Sequence, residues 1–450
     1  MHFGLAGLVP LAMYVGAIVA FVLSVFGRPQ AGLYYLIPLL PMQVYRYMLH
    51  DLFWGEKLVD VLLLGVVIGL LRSGERPAFL RTPLNKFLVG FGIFLYIMLW
   101  RGSFYLDADL PISPADPRFS DWKNFMVLPI IFIVVASAIR TRKQILIVLA
   151  LMTLSVIAVN RGFYNTVSER DLSHFANELR YAGALGFAGE NGFAAFEAQF
   201  CLLALAFYSF AKKLWIKAAL LFVVLTCGYC ILFSFSRGAY IAVLIGTAYL
   251  GMLKNRKLLV MLALLLTVWT SVVPVAVQER INGTYDANGK LEQSSADRVE
   301  LWQDALQVAG HNMIVGTGYF TYKYMNRVGP FHDTHNLYLK VLVETGIIGV
   351  ILFVTLLLKL FLAGWKLYRS AESLFYRALG LGFSALMLCT LVVNSFGDRW
   401  NYLQVTGFTW VLLGLVERAQ VLTDEAQAAE LQLEAAEPEP VGSSPVLVEA

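Results

Sequence analysis

"LWIKAALLFVVLTCGYCILFSFSRGAYIAVLIGTAYLGML", residues 214–253, decides the fold. Two apolar runs flank a short threshold, "SFSRGAY" (234–240). Each run is long enough to cross a hydrocarbon layer about 30 Å thick as a helix. Similar runs recur near 5–25, 30–48, 57–71, 84–101, 123–140, 144–160, 192–211, 257–275, 337–363, 375–396 and 402–416. The pattern predicts an all-α, polytopic transmembrane bundle of about 12–13 spans. Alternating segments of roughly 10 residues, the mark of a membrane β-barrel, are not seen. Composition agrees: the 450 residues are 58% hydrophobic and 15% charged, against about 25% charged in a soluble domain. No basic flank or small-residue site marks the first run as a cleaved leader. Pro38 and Pro41 predict a broken or partly inserted helix in 30–48 and leave the topology of residues 1–50 open.

The connections set the orientation. Arg72, Arg76, Arg81 and Lys86 share one connection, and Arg140, Arg142 and Lys143 another. Lys212 and Lys213, then Lys254, Arg256 and Lys257, then Lys366, Arg369 and Arg377 follow on alternate connections. The positive-inside rule puts these in the cytoplasm and the intervening loops outside. The chain then divides into N-terminal transmembrane helices (1–275), a large outer loop (276–336), C-terminal transmembrane helices (337–418) and an acidic, disordered cytoplasmic tail (419–450). Net charge is +4 overall, and seven acids follow Arg418 with no lysine or arginine among them. Within the outer loop, "SSADRVELWQDALQVAG" predicts a short amphipathic helix, with Ser294 and Asp297 as a capping pair and Val299, Trp302 and Leu306 on one face.

The outer loops hold arginine where lysine is scarce: Arg161, Arg170, Arg180, Arg237, Arg280, Arg298, Arg327 and Arg399, against Lys123, Lys290 and Lys323. A guanidinium fork matches pairs of phosphate oxygens, and an ammonium is a point charge. The outer surface therefore points to a phosphate or pyrophosphate ligand. The competing reading pairs these arginines with Glu169, Asp171, Glu178, Glu190, Glu279 or Asp398. Arg237 has no carboxylate near it in sequence, which weakens that reading there.

"FHDTHNLYLKVLVETGIIGV" (331–350) is a second threshold of the same kind. His332, Asp333 and His335 crowd too closely to supply a four-ligand metal site, so no metal is assigned. His335 beside Asn336 and ahead of Tyr338 suits a proton acceptor, since an imidazole of ordinary pKa near 6.5 accepts a proton at neutral pH. Glu344 would lie about 13 Å deeper on a continuous helix and is read as ordering the packing there. Gly346 and Gly349 are read as allowing a close helix neighbour. Cys227 and Cys230 form a C-x-x-C, but no thioredoxin-like context surrounds it, and two small lipid-embedded residues are the preferred reading.

"SFSRGAYIAV" followed by an outer loop and "HNLYLKVLVETGIIGV" resembles the O-antigen ligase and polymerase superfamily of bacterial inner-membrane proteins, most sharply over residues 230–350. The resemblance implies a periplasm-facing glycosyltransferase. Its donor would be a glycan on undecaprenyl pyrophosphate, its acceptor a sugar hydroxyl of lipid A–core, with membrane lipid around it, no nucleic acid and no cofactor. It implies catalytic roles for His335, Arg237 and a loop arginine. Arg298 is the best match for the last, with Arg280 and Arg327 as alternatives. Asp398 in "NSFGDRWNY" matches a late outer-face acid. Arg161, Arg180, Asn336, Tyr338 and Arg399 join Asp398 as candidate substrate-binding residues. "AGENGFAAFEAQ", with Glu190 and Asn191, is polar at the outer edge and receives no role. An O-antigen polymerase and a protein O-oligosaccharyltransferase remain open within the superfamily. The non-enzyme alternative is a transporter of an anionic lipid, disfavoured because the charges sit at the edge rather than the midplane and no internal repeat is visible.

Overall fold

The computed structural model describes residues 8–74, 77–283, 292–328 and 333–436. Among them it contains α-helices and no strand. The chain opens with α1 (Val9–Phe26), α2 (Gln30–Leu39), α3 (Gln43–Tyr47) and α4 (Leu58–Arg72). Next come α5 (Pro83–Tyr105), α6 (Pro117–Ala138), α7 (Arg142–Val167), α8 (Gly189–Phe210), α9 (Leu214–Phe233), α10 (Arg237–Leu253) and α11 (Lys257–Val272). The outer-loop helices are α12 (Val275–Asn282), α13 (Gln293–His311) and α14 (Tyr322–Met325), followed by α15 (Leu337–Ser370), α16 (Leu374–Asn394) and α17 (Leu403–Ala436). Nine helices among the described residues are long and apolar enough to cross a membrane, or up to ten if the bent pair α11–α12 forms one span, and α10 is a shorter apolar helix. This is a multi-pass membrane protein.

The polar punctuation works as elementary physics requires. Thr141 and Gln144 form a reciprocal capping box at the start of α7. Pro38 and Pro41 end α2, and α3 resumes at Gln43. The Gln43 side chain accepts from Phe187 N (3.0 Å) and Gln404 Nε2 (2.7 Å), so the end of α2 lies with the 183–188 turn and the start of α17. Connections richest in lysine alternate with those that meet at this end. Inside the bundle, α8, α16 and α17 are the most enclosed spans. Buried Glu197 of α8 faces Asn160 of α7. With its amide turned to donate, Asn160 lies 3.0 and 2.9 Å from the two carboxylate oxygens. Such interhelical hydrogen bonds in lipid contribute about 0.6–2 kcal/mol each.

Several expectations need correction. α17 runs on to Ala436, so residues 419–436 continue the last helix instead of beginning a disordered tail, and 437–450 lie outside the described residues. The amphipathic loop helix exists as α13, but its N-cap is Glu292 and it has no side-chain cap bond. Its buried stripe is Leu301, Ala305, Val308 and Ala309, whereas Val299 and Leu306 are exposed. Cys227 and Cys230 are buried and unbonded to one another.

The largest surprise is in α15, which breaks at Gly346 (φ 63°, ψ −167°). Neither Ile347 N nor Ile348 N completes the helix. They donate instead to Met313 O (2.8 Å) and Ile314 O (3.4 Å). The carbonyls thus freed, Val343 O and Glu344 O, accept from Thr317 N (2.9 Å) and Gly318 N (2.7 Å). Segment 313–318 is a backbone insert that completes the helix it interrupts, which keeps irregular backbone tolerable at membrane depth. Gly346 therefore serves a chain break. At Gly349 the nearest atoms to an added Cβ belong to the Thr345 side chain of its own helix.

A Cβ on Gly346 would stand 2.2 Å from Ile314 O and in a backbone region that glycine alone enters readily. Gly346→Ala should destabilise the fold by at least about 1–3 kcal/mol. The expected readout is a clear drop in thermal midpoint in detergent. Gly162→Ala, inside α7 where no atom beyond its own helix backbone and chain neighbours lies within 4 Å of the new carbon, should not lower it.

Candidate active site

The "SFSRGAY" threshold is a sharp corner between α9 and α10. Phe235 takes φ 55° and Ser236 is extended, which ends one helix and starts the next within three residues. Arg237 is the first residue of α10, and its Nη2 reaches Glu292 Oε2 at 2.8 Å and Ser295 Oγ at 3.3 Å. The carboxylate missing from its sequence neighbourhood comes from the outer loop. Arg280, in the last turn of α12, is buried. It bonds Glu292 Oε1, donates from Nε to Phe235 O (3.4 Å), and lies 4.9 Å from the Phe175 ring centre. Arg298 comes from α13, and Arg399 from the turn between α16 and α17.

These side chains share a cavity of about 330 Å³. Its polar wall is Asn191, Ser236, Arg237, Arg280, Ser295, Arg298 and Arg399, and its apolar wall includes Ile241, Val299, Trp302, Val393 and Phe396. Arg180 stands behind Asn191. It donates to Asn191 Oδ1 at 2.9 Å and lies 4.0 Å from Glu190. Ser236 Oγ donates to the same amide oxygen at 2.8 Å. Asn191 therefore ties Arg180 to the threshold, giving the polar stretch near 190 a place that sequence alone did not.

The electrostatics are crowded. Burial, then Arg237, Arg399, Arg180 and Arg280, push the Arg298 pKa below its usual value. Arg180 is lowered by burial, partly offset by Glu190, and lowered further by Arg280 and Arg399. Glu292 is held below the ordinary carboxylate range: burial opposes its ionisation, and the Arg280 and Arg237 contacts outweigh burial. Five guanidiniums at the edge of a low-dielectric layer make a strong anion site, and their planar forks suit phosphate oxygens taken in pairs.

His335 lies beside this cavity, not among its lining residues. Its φ is 48° and its Nδ1 lies 2.8 Å from Asp333 Oδ1. The same carboxylate oxygen accepts from His335 N at 2.6 Å. Burial would raise the Asp333 pKa, but the hydrogen bonds and charge of His335, with help from Lys340, hold it well below the carboxylate range. Asp333 is thus an orienting partner that the sequence showed only as part of a rejected metal cluster. His332 lies outside the described residues. Between the two residues of this pair, Thr334 O accepts from the cavity-lining Trp302 Nε1 at 3.1 Å.

The other candidates separate cleanly. Arg180 and Arg399 belong to the cluster. Arg161 is exposed on α7 and is not among the cavity-lining residues. Asn336 caps α15, accepting from Tyr338 N (3.0 Å) and Leu339 N (3.2 Å), and Tyr338 Oη donates to Leu391 O at 2.8 Å. Both hold the helix that carries His335. Asp398 is buried, accepting from Lys340 Nζ (2.7 Å) and Asn401 Nδ2 (2.8 Å). Arg327 pairs with Asp304 at 2.8 Å, so of the three loop arginines Arg280 and Arg298 face the cavity. Glu344 accepts from Phe320 N at 3.0 Å, next to the broken turn of α15.

Residues 220–354 match the family model described as O-antigen ligase. No curated protein matches the chain. The matched stretch contains Arg237, Arg280, Arg298, Asp333 and His335, whereas Asn191 and Arg399 reach the cavity from outside it, with Arg180 behind Asn191.

Lys340 and Asp398 are 6% and 4% exposed, so each is the other's main source of compensation. Removing one charge of such a pair costs about 3–5 kcal/mol. Lys340→Met should lower the thermal midpoint sharply, and Lys340→Met with Asp398→Leu should recover a large part of the loss. A double variant no better than the single one would show that the pair is not coupled.

Proposed function

We propose that this chain, whose residues 220–354 match the O-antigen ligase family model, is a glycosyltransferase with a lipid-linked donor. It moves O-antigen glycan from undecaprenyl pyrophosphate to a sugar hydroxyl of lipid A–core, at the periplasmic face of the bacterial inner membrane. The observation that carries this reading is the convergence of Arg237, Arg280, Arg298 and Arg399 on one cavity, with the Asp333–His335 pair one hydrogen bond away. The lysine-rich connections at the opposite end support the orientation.

The chemistry follows from the residues. The acceptor hydroxyl oxygen attacks the anomeric carbon while the bond from that carbon to the phosphate oxygen breaks. The hydroxyl proton passes to His335 through Nε2, because Nδ1 is turned toward Asp333. The leaving diphosphate gains negative charge, and the fixed guanidiniums bind that charge more strongly in the transition state than in the ground state. Direct displacement inverts the anomeric centre. Asp333 keeps the imidazole in one tautomer and orientation, as a carboxylate does behind a catalytic histidine.

Purified protein with a polyprenyl-diphosphate glycan and lipid A–core tests the reading. His335→Ala should lower transfer by about 10²–10⁴, and Arg237→Ala by about 10²–10³. Asp333→Asn should lower it by at least about ten-fold through the wrong tautomer. Wild-type rates in correctly inserted His335→Ala and Arg237→Ala proteins would remove the proposal. Transfer only to a second lipid-linked glycan, or to a protein hydroxyl, would instead make the chain a polymerase or a protein O-oligosaccharyltransferase.

A further inference from the structure

Glu292 is an acid inside a site built for anions. Its two oxygens go to different arginines: Oε1 to Arg280 Nη1, and Oε2 to Arg237 Nη2 at 2.8 Å. Both arginines line the cavity. A carboxylate bridging two forks occupies the arrangement that two oxygens of a phosphoryl group would take.

The two sides of this contact differ in rigidity. Arg280 is 5% exposed and held by Phe235 O and the Phe175 ring. The Glu292 side chain is 21% exposed and stands at the very start of α13. At that N-cap position it makes no side-chain cap bond to its helix. An acid there ordinarily accepts a backbone N–H of the first turn. Here it is turned to the arginines, so releasing them costs α13 no capping bond. Charge balance favours the exchange. Arg180, Arg237, Arg280 and Arg399 all lie within electrostatic reach of Arg298, and a diphosphate carries more negative charge than one carboxylate.

We propose that Glu292 is an internal anion that fills the diphosphate subsite between Arg237 and Arg280 and is displaced by the donor. It is a positioning residue: it keeps the two guanidiniums aligned before the donor arrives, and it competes with the donor for them. The inference rests on the reading of the cavity as a diphosphate site. Competition of this kind reduces apparent affinity by the fraction of protein in which the subsite is open, so an occupied-to-open ratio of about ten weakens donor binding about ten-fold.

The test is titration of full-length protein in nanodiscs with inorganic pyrophosphate, and separately with farnesyl diphosphate, by calorimetry. Glu292→Gln keeps the shape and removes the charge. It should bind both probes about ten-fold tighter, and in the transfer assay lower KM for the donor about ten-fold with kcat little changed. Glu292→Asp should behave as wild type, and equal thermal midpoints would show that all forms are folded. Binding lost in Arg237→Ala but unchanged or weakened in Glu292→Gln overturns the inference alone and makes the carboxylate a plain brace. Binding by no form, or binding untouched in Arg237→Ala, overturns the diphosphate reading and the inference with it. Tightening for pyrophosphate but not for farnesyl diphosphate would also overturn it, because the displaced group would then not be the lipid-linked one.

Discussion

Like charges gathered at the rim of a low-dielectric slab repel one another, and the rest of the site is arranged around that repulsion. Arg180, Arg237, Arg280, Arg298 and Arg399 come from five separate elements; the other four lower the pKa of Arg298, and Arg280 and Arg399 lower that of Arg180. Guanidiniums do not give up protons in proteins, so the strain must be relieved by anions. Inside the cluster the relief is Glu292, with Glu190 at the far side of Arg180. It is on this repulsion that the proposed affinity for a multivalent anion rests.

Holding such a cluster demands rigid supports, and the fold supplies them at helix ends. Arg237 begins α10 after a left-handed residue, His335 stands just before α15 in the same left-handed region, and Arg280 closes α12. Asn336 caps α15, and Tyr338 ties that helix to α16. Below the site, Lys340 and Asp398 lock α15 to the turn before α17. Burial raises the Tyr402 pKa, and Asp398, Asp333, Arg399 and Lys340 all act on that group as well. The tyrosine thus lies where the acid–histidine pair, the buried ion pair and the arginine cavity meet. The broken turn of α15, with segment 313–318 docked into it, adds a backbone anchor that ordinary helix packing would not provide.

Much of this was legible in the sequence, and the reason is length. A bilayer selects apolar runs of one size, so the helical bundle and the two thresholds could be read from hydropathy, although the pattern predicts about 12–13 spans and nine, or up to ten, of the described helices qualify. The loop helix was visible from its period, and the arginine excess from simple comparison with lysine. What failed were inferences that treated sequence distance as spatial distance. Arg237 seemed unpartnered because Glu292 is fifty-five positions away. Asn336 and Tyr338 looked like ligand contacts because they neighbour His335, and the structure adds a bracing role: Asn336 Oδ1 caps α15 and Tyr338 Oη donates to Leu391 O.

By itself, then, the sequence determined an all-helical membrane protein with cations and an imidazole at one set of helix ends, because partitioning between lipid and water is a property of local composition. Only the tertiary structure decided which arginines converge, that Arg161 and Arg327 do not, that Asp333 orients His335, and that Gly346 breaks a helix so that a loop can complete it. Those outcomes depend on hydrogen bonds and ion pairs between segments far apart in the chain. Their geometry is fixed by how the helices pack, and no local pattern records it.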